Sequence, residues 1–433
     1  MKICGWGRYP KIDAKVLLPQ THGDCTNFLK SNQIVLPRGM GRSYGDSANS
    51  PIVIQTSYLN HFIEFDVSTG VLTCEAGASI QEILQLIVPK GWFMPVTPGS
   101  SFVTVGGAIA SDVHGKNHHL SGTFSEHLLS IELMLGSGKI LNVTKDVYPD
   151  LFRATCGGMG LTGIILSASF QLKSIKSSQI IQSTIKINCL EELCEQFEAN
   201  HASTYSVAWI DCLTKGKQLG RSLLMLGEHL QDGILELKKK KNLNLPIDIP
   251  QLFLNHYSVK LFNTLYYHRV FSRLKKEVMP FETYFYPLDT INNWNRLYGD
   301  GGFVQYQFVL PKAYGVKNMR KILTQITENG ACSFLGVLKQ FGPANQNLLS
   351  FPIEGYTLAL DFKISPSVLD LLHKLDCMVV DMGGRIYLTK DAVMLESSFK
   401  SSYLKWQEFE GVRQKYGAIG RFASNQSKRL GLA

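Results

Sequence analysis

Three glycine-rich segments hold the residues best suited to chemistry. In Pro37-Arg-Gly-Met-Gly-Arg-Ser-Tyr-Gly-Asp46, glycines at 39, 41 and 45 let successive backbone N–H groups turn toward one point, and Arg38 and Arg42 add positive charge. The reading is a phosphate cradle, with a plain turning loop as the alternative. It is not a Rossmann turn, because Tyr44 stands where Gly-x-Gly-x-x-Gly needs its third glycine. In the second segment, Thr97 to His119, Gly106 and Gly107 offer bare backbone to a flat ligand or its pyrophosphate. His114, His118 and His119 invite a metal reading, but only Asp112 nearby would extend the ligand set, which favours a cofactor-side role or satisfied core histidines. The third, Asp150 to Leu172, places Gly158, Gly160 and Gly163 in the dinucleotide spacing. Its context is wrong for a nicotinamide: helix-like 150–155 precedes the glycines and β-rich 164–172 follows, the reverse of strand, turn, helix.

The elements around these segments read as α+β. Short strands are expected at Ile52-Val-Ile, Ile63-Glu-Phe and Val71-Leu-Thr-Cys, then a helix behind Ser79 with apolar residues at 80, 83, 84, 87 and 88. Strand pairs followed by helices, without regular βαβ alternation, argue against a doubly wound sheet. Of 38 glycines, 20 fall in the first 175 residues, and the clusters cease near Lys173, so a second domain is expected from Gln179 to Gly384. It should contain a strand at 303–310 and a helix at 316–327. The run Lys238–Lys241 and the aromatic stretch from Leu252 to Phe271 read either as a solvated loop with an ordinary helix or as a surface for anionic lipid or an isoprenoid tail.

A chain of 433 residues, 45% hydrophobic and 18% charged, has enough apolar material for two or three domains and excludes both a small binding module and global disorder. Its net charge of +9 suits an anionic cofactor, a phosphorylated substrate or an acidic membrane surface, and no nucleic-acid motif accompanies it. Nine cysteines, odd in number and without a Cys-x-x-Cys pair, read as free thiols in a reducing compartment. Charged residues interrupt the first eighteen positions, and no run long enough to span a bilayer follows, so the expected location is cytoplasmic, with peripheral contact to the inner membrane as the alternative.

Taken together, the three segments in this order resemble the FAD-binding domain of the vanillyl-alcohol-oxidase type of flavoprotein. Gly5-Trp-Gly-Arg, Gly41-Arg-Ser-Tyr-Gly-Asp, Thr104-Val-Gly-Gly-Ala-Ile-Ala and His114-Gly-Lys-Asn-His-His resemble, more closely, members that oxidise a polyprenyl-phosphoryl pentose. The likeness continues through Trp294-Asn-Arg, Gln305-Tyr-Gln-Phe, Phe341-Gly-Pro, Leu349-Ser-Phe-Pro-Ile and Thr389-Lys-Asp to Arg421-Phe-Ala-Ser, essentially the whole chain.

The resemblance implies an FAD-binding domain at 1–178, a substrate or cap domain at 179–384, and a return to the first domain at 385–433. It implies FAD held without a covalent tether, since Ser43 and Tyr44 stand where many members carry a tethering histidine. Arg38, Gly39, Gly41, Arg42, Ser43 and Tyr44 would hold the pyrophosphate. Thr104, Gly106, Gly107, Ala108, Asp112, Gly115, Asn117, Gly158, Ile164 and Tyr387 would line the rest of the cofactor. Lys390 would be the active-site lysine and His114 would sit beside the ring, with the proton acceptor left open between them. Gln305, Gln307 and Lys339 would take sugar hydroxyls and phosphate, and Gln305 and Gln307 share strand parity, as a pair of contacts requires. One departure is Ala359, where the mycobacterial members carry a cysteine that their covalent inhibitors need; hydride transfer needs no thiol. The implied activity is oxidation of a 2-hydroxyl to a 2-keto sugar, the first half of an epimerisation toward arabinose, with a separate NAD(P)H-dependent reductase completing it. The alternatives are a soluble alditol or sugar-lactone oxidase using oxygen, and a catalytically silent flavin-binding assembly partner.

Overall fold

The computed structural model describes residues 1–237, 243–250, 255–331 and 333–432. The Lys238–Lys241 run and the start of the aromatic stretch, residues 252–254, lie outside the described residues.

The expected local signals produce the expected elements. Strands form at Ile52–Gln55, Phe62–Asp66 and Val71–Glu75. Ser79 caps the helix Ile80–Ile87 in a reciprocal box with Glu82, and Ile80, Ile83, Leu84 and Ile87 are the face it buries. The helix Pro149–Thr155 precedes the third glycine segment and the strand Ile164–Gln171 follows it, the order that excludes a Rossmann turn.

Two assemblies of strands face each other across the site. The first joins a small parallel sheet, Lys15–Leu17, Ile52–Gln55 and Leu36–Arg38, to a five-stranded antiparallel sheet centred on Ile164–Gln171. The helix Val105–Ala110, capped by Thr104, lies between them and the cavity. The second assembly is an eight-stranded sheet whose order is Leu274–Pro280, Gln179–Ile187, Ser222–His229, Tyr205–Ile210, Gly336–Phe341, Gly355–Lys363, Phe303–Pro311 and Arg385–Ile386. Helices Leu190–Ala199, Gly315–Asn329 and Pro366–Asp381 bury apolar stripes beside this sheet. Its final strand, Arg385–Ile386, pairs with Phe308 and Val309, so the chain leaves this sheet only after residue 386.

The segment that follows returns to the first assembly. Arg413, fully buried, donates to Leu161 O at 3.1 Å and Phe422 O at 2.9 Å and pairs with Glu410. Arg429 bridges Asp46, at 2.7 Å, and Asp391, at 2.9 Å. The eight cysteines among the described residues are unbridged.

Candidate active site

The loop after Leu36–Arg38 is held open by one arginine and left free by another. Arg38 is buried; its guanidinium donates to Ala48 O at 2.5 Å, Asn49 Oδ1 at 3.0 Å and Cys4 O at 2.7 Å. Three of its five N–H donors thus stitch the loop to the N-terminal strand region, while Arg38 also borders the cavity. Arg42 instead lies over the Trp6 ring at 4.0 Å and near Phe102 at 5.1 Å, with no hydrogen-bond acceptor among the described residues. The amides of Met40, Gly41, Arg42 and Ser43 likewise meet no acceptor among them. The buried hydroxyls of Ser43 and Ser47 are also unpaired. All of these donors border one cavity of about 610 Å³. Leaving a buried donor unmatched costs about 1–3 kcal/mol, so the two buried hydroxyls, beside a run of free amides and a guanidinium, mark an anion site.

The second glycine segment supplies a smooth wall rather than donors. Gly106 N–H donates to Ala76 O at 2.8 Å and Gly107 N–H to Thr104 Oγ1 at 3.1 Å, while Thr104 packs against Gly39. Six expected cofactor contacts stand behind that wall. Ala108 and Ile164 are fully buried in the core. Asp112 accepts from Asn345 at 2.7 Å, Asn347 at 2.8 Å and Ser350 at 2.6 Å, and Asn117 donates to Pro95 O at 2.8 Å. Gly115 packs against Asn117, and Gly158 packs so closely on Ala154 O that a Cβ would overlap it. Ala110, Ser111, Met159, Gly160 and Ile165 border the cavity in their place. The swap of Ile164 for Ile165 follows from strand parity, which sends neighbours to opposite faces.

The reactive groups meet at the seam between the two assemblies. Tyr44 N–H donates to Thr389 O at 3.0 Å, and Gly45 abuts Asp391 so tightly that any side chain would collide. This docking places Lys390 Nζ 3.9 Å from the centre of the Tyr44 ring. Enclosure pushes Lys390 down to about 7, against the pull of the Asp361 carboxylate. Asp361, enclosed in turn, is pushed up to about 7 despite accepting from Gln305 at 2.6 Å. Gln307 Nε2 lies 3.1 Å from His114 Nε2 and donates to Thr357 Oγ1 at 3.2 Å. Burial, aided by Lys339, holds His114 well below its ordinary value, so its ring is neutral. Tyr387 stacks on Phe351 at 4.6 Å and donates to Ser111 O at 3.1 Å, which closes the wall beside His114.

Lys339 borders the same cavity, its ammonium pushed down to about 8 by enclosure. Lys116 is a cation that the motif reading passed over. It lies over the Tyr284 ring at 4.1 Å, donates to Tyr284 O, and is pushed down to about 7 by enclosure and by Lys339. Its position two residues after His114 was the available signal. Asp361 was also missed, although it lies directly opposite Gln305 in the strand register. His118 and His119 turn away into hydrogen bonds with Gly342 N–H, at 3.1 Å, and Ser203 O, at 2.9 Å.

The chain is similar in sequence to known proteins. The family model described as "FAD binding domain" matches residues 14–144, the part that contains the anion loop and the capped helix. The chain is 35% identical to decaprenylphosphoryl-beta-D-ribose oxidase of Mycolicibacterium smegmatis, over 100% of this chain and 97% of that one. D-2-hydroxyglutarate dehydrogenase of Rattus norvegicus is 27% identical over 38% of this chain and 33% of its own length. D-arabinono-1,4-lactone oxidase of Yarrowia lipolytica is 30% identical over 32% of this chain and 26% of its own.

Proposed function

Because the chain belongs to the decaprenylphosphoryl-β-D-ribose oxidase family of FAD-dependent oxidoreductases, we propose that it oxidises the 2-hydroxyl of a polyprenyl-phosphoryl pentose to a 2-keto sugar. The observation that carries this reading is that one cavity runs from the free donors of the 40–43 loop, past Tyr44 and Lys390, to a floor bearing Gln305, Gln307 and Lys339. The unpaired amides, the Ser43 and Ser47 hydroxyls and Arg42 fit the pyrophosphate of FAD, and Gly106 and Gly107 offer it a flat bed. With no histidine in that loop, the cofactor is held without a covalent bond there. Bound FAD supplies the acceptor for the hydride that leaves the sugar carbon.

This chain's residues do the rest. Lys116 and Lys339 hold the substrate phosphate, and Gln305, Gln307 and Thr357 orient the ring hydroxyls. Lys390 takes the hydroxyl proton, because an amine titrating near 7 is available as a base at neutral pH. Asp361 then faces the ammonium that results. His114, neutral and within reach of the Gln307 amide, positions that amide rather than accepting the proton. Ala359, opposite Gln307, leaves hydride transfer intact and removes the thiol that a covalent inhibitor would need. The 2-keto product calls for a hydride-donating NAD(P)H-dependent reductase to finish the epimerisation. The setting proposed is the cytoplasmic side of the inner membrane, with peripheral contact; no described helix is long and apolar enough to cross a bilayer.

Anaerobic mixing of the FAD-loaded protein with farnesylphosphoryl-ribose should bleach the flavin absorption, and Lys390→Met should slow that step by about 10²–10⁴. Bleaching by free alditols or sugar lactones alone, with peroxide formed in air, would refute the substrate and favour the lactone-oxidase alternative. No bleaching by either class would favour a silent flavin-binding partner. The pH profile has a definite sign. The proton acceptor gains availability as pH rises through about 7, while Lys116 and Lys339 lose their charge as pH rises through about 7 and about 8, so kcat/KM should peak near neutral pH and fall on the alkaline side.

A further inference from the structure

The face that the eight-stranded sheet turns to the cavity changes character halfway. At one end stand Gln305, Gln307, Thr357 and Lys339. Beyond Lys339 the cavity-facing residues are mostly apolar, strand by strand: Val337, then Trp209 and Val207, then Met225, then the polar Gln182, then Met279 with Glu277. Their alignment is a matter of register, with Val337 opposite both Ala359 and Trp209, and Val207 opposite Met225. From the Gly336–Phe341 strand to Leu274–Pro280 is four inter-strand steps, roughly 19 Å at the ordinary strand spacing.

Two helices, His256–His268 and the short Phe281–Phe285, flank this strip. At one end of the Ser222–His229 strand, Leu223 packs with Tyr267 and Val270, and Tyr266 lies 4.7 Å from the Trp209 ring. At the other end, Tyr284 covers Gly227. Met225 lies between them, so the strip is a channel with a helix along each side. The polar groups at its far end are already engaged: Gln182 donates to Thr184 at 2.8 Å, and Glu277 pairs with Lys275 at 2.8 Å. There the channel meets the outermost strand, on which Leu274 and Val278 are exposed on the face opposite Met279, and Phe271, just before that strand, is 94% exposed.

An anionic head held by Lys116 and Lys339 therefore continues into an apolar trough and out to an apolar rim. We propose that the stretch from Val337 to Met279 binds the first isoprene units of a polyprenyl phosphate, and that the rest of the tail leaves over the Leu274–Pro280 edge. The placement of the head rests on the function proposed above; the trough itself rests on strand register and side-chain type. Side chains such as Met225 and Met279 suit a methyl-branched chain because they adapt their shape at small cost.

Calorimetric titration of the FAD-loaded protein with dimethylallyl, geranyl, farnesyl and geranylgeranyl phosphates tests the proposal without turnover. Affinity should rise by about tenfold per isoprene unit and then level off as the channel fills. Met225→Gln should flatten that rise, and the series on the unaltered protein decides the matter if the variant fails to fold. Equal affinity for all four phosphates would overturn the channel, even if prenyl-phosphoryl pentoses still bleach the flavin. A steep rise without bleaching would leave the channel standing and overturn the activity.

Discussion

The loop at 39–45, with three glycines, and the segment at 157–163, with four, are used by the fold in opposite ways. In the first, four consecutive amides meet no acceptor among the described residues and belong to residues that border the cavity. In the second, Gly157 N–H donates to Ile109 O at 3.0 Å, Gly158 N–H to Thr155 O at 3.1 Å and Met159 N–H to Ala110 O at 2.8 Å. The first and last of these bonds brace the C-terminal end of the helix Val105–Ala110. The segment with the dinucleotide spacing is thus a buttress, and the segment without it carries the free donors. Glycine spacing reports tight backbone geometry; only the hydrogen-bond ledger reports whether a ligand is awaited.

Arg38 and Arg42, four residues apart, give the sharpest means of separating structure from binding. Arg38→Ala should lower folding stability by about 3 kcal/mol, read by denaturant titration of the FAD-free protein, because Cys4 O, Ala48 O and Asn49 Oδ1 lose their donor together. Arg42→Ala should instead weaken FAD by about 30-fold, roughly 2 kcal/mol, in fluorescence titration with flavin, and lower stability less than Arg38→Ala does. If the two substitutions exchanged effects, the assignment of free and spent donors would be wrong. Gly41→Ala, at φ +63 and against the Arg38 guanidinium, should cost about 1 kcal/mol of stability and loosen FAD as well. The smallest effect has two signs. Ser43→Ala should stabilise the FAD-free protein by about 0.5 kcal/mol, since it deletes an unmatched buried hydroxyl, while reducing FAD affinity.

Much of the architecture was legible because it is local. The Ser79 cap and the apolar stripe behind it specify the helix Ile80–Ile87, and the order helix, glycines, strand around residue 160 excluded the Rossmann turn. The α+β class and the FAD-binding domain were legible too, the latter through segments whose order matters more than any one spacing. What escaped was set by distant partners. Asp112 looked like a ligand contact until Asn345, Asn347 and Ser350, more than two hundred residues away, occupied its carboxylate. Ile164 and Ile165 differ only in which face of a strand they occupy, and motif matching cannot distinguish them. Lys116 drew no notice because a lone lysine on a loop is ordinarily solvated; Tyr284, 168 positions onward, is what encloses it.

The Arg429 bridge to Asp46 and Asp391 ties together positions separated by up to 383 residues. Nothing local can assemble the place where Tyr44 meets Lys390; the ribosome must deliver residues near 429 before the lock that joins both sides can close. Loop-closure entropy of that span makes such a joint slow to form. A chain ending short of residue 429 would therefore lack the bridge that fastens Asp46 to Asp391.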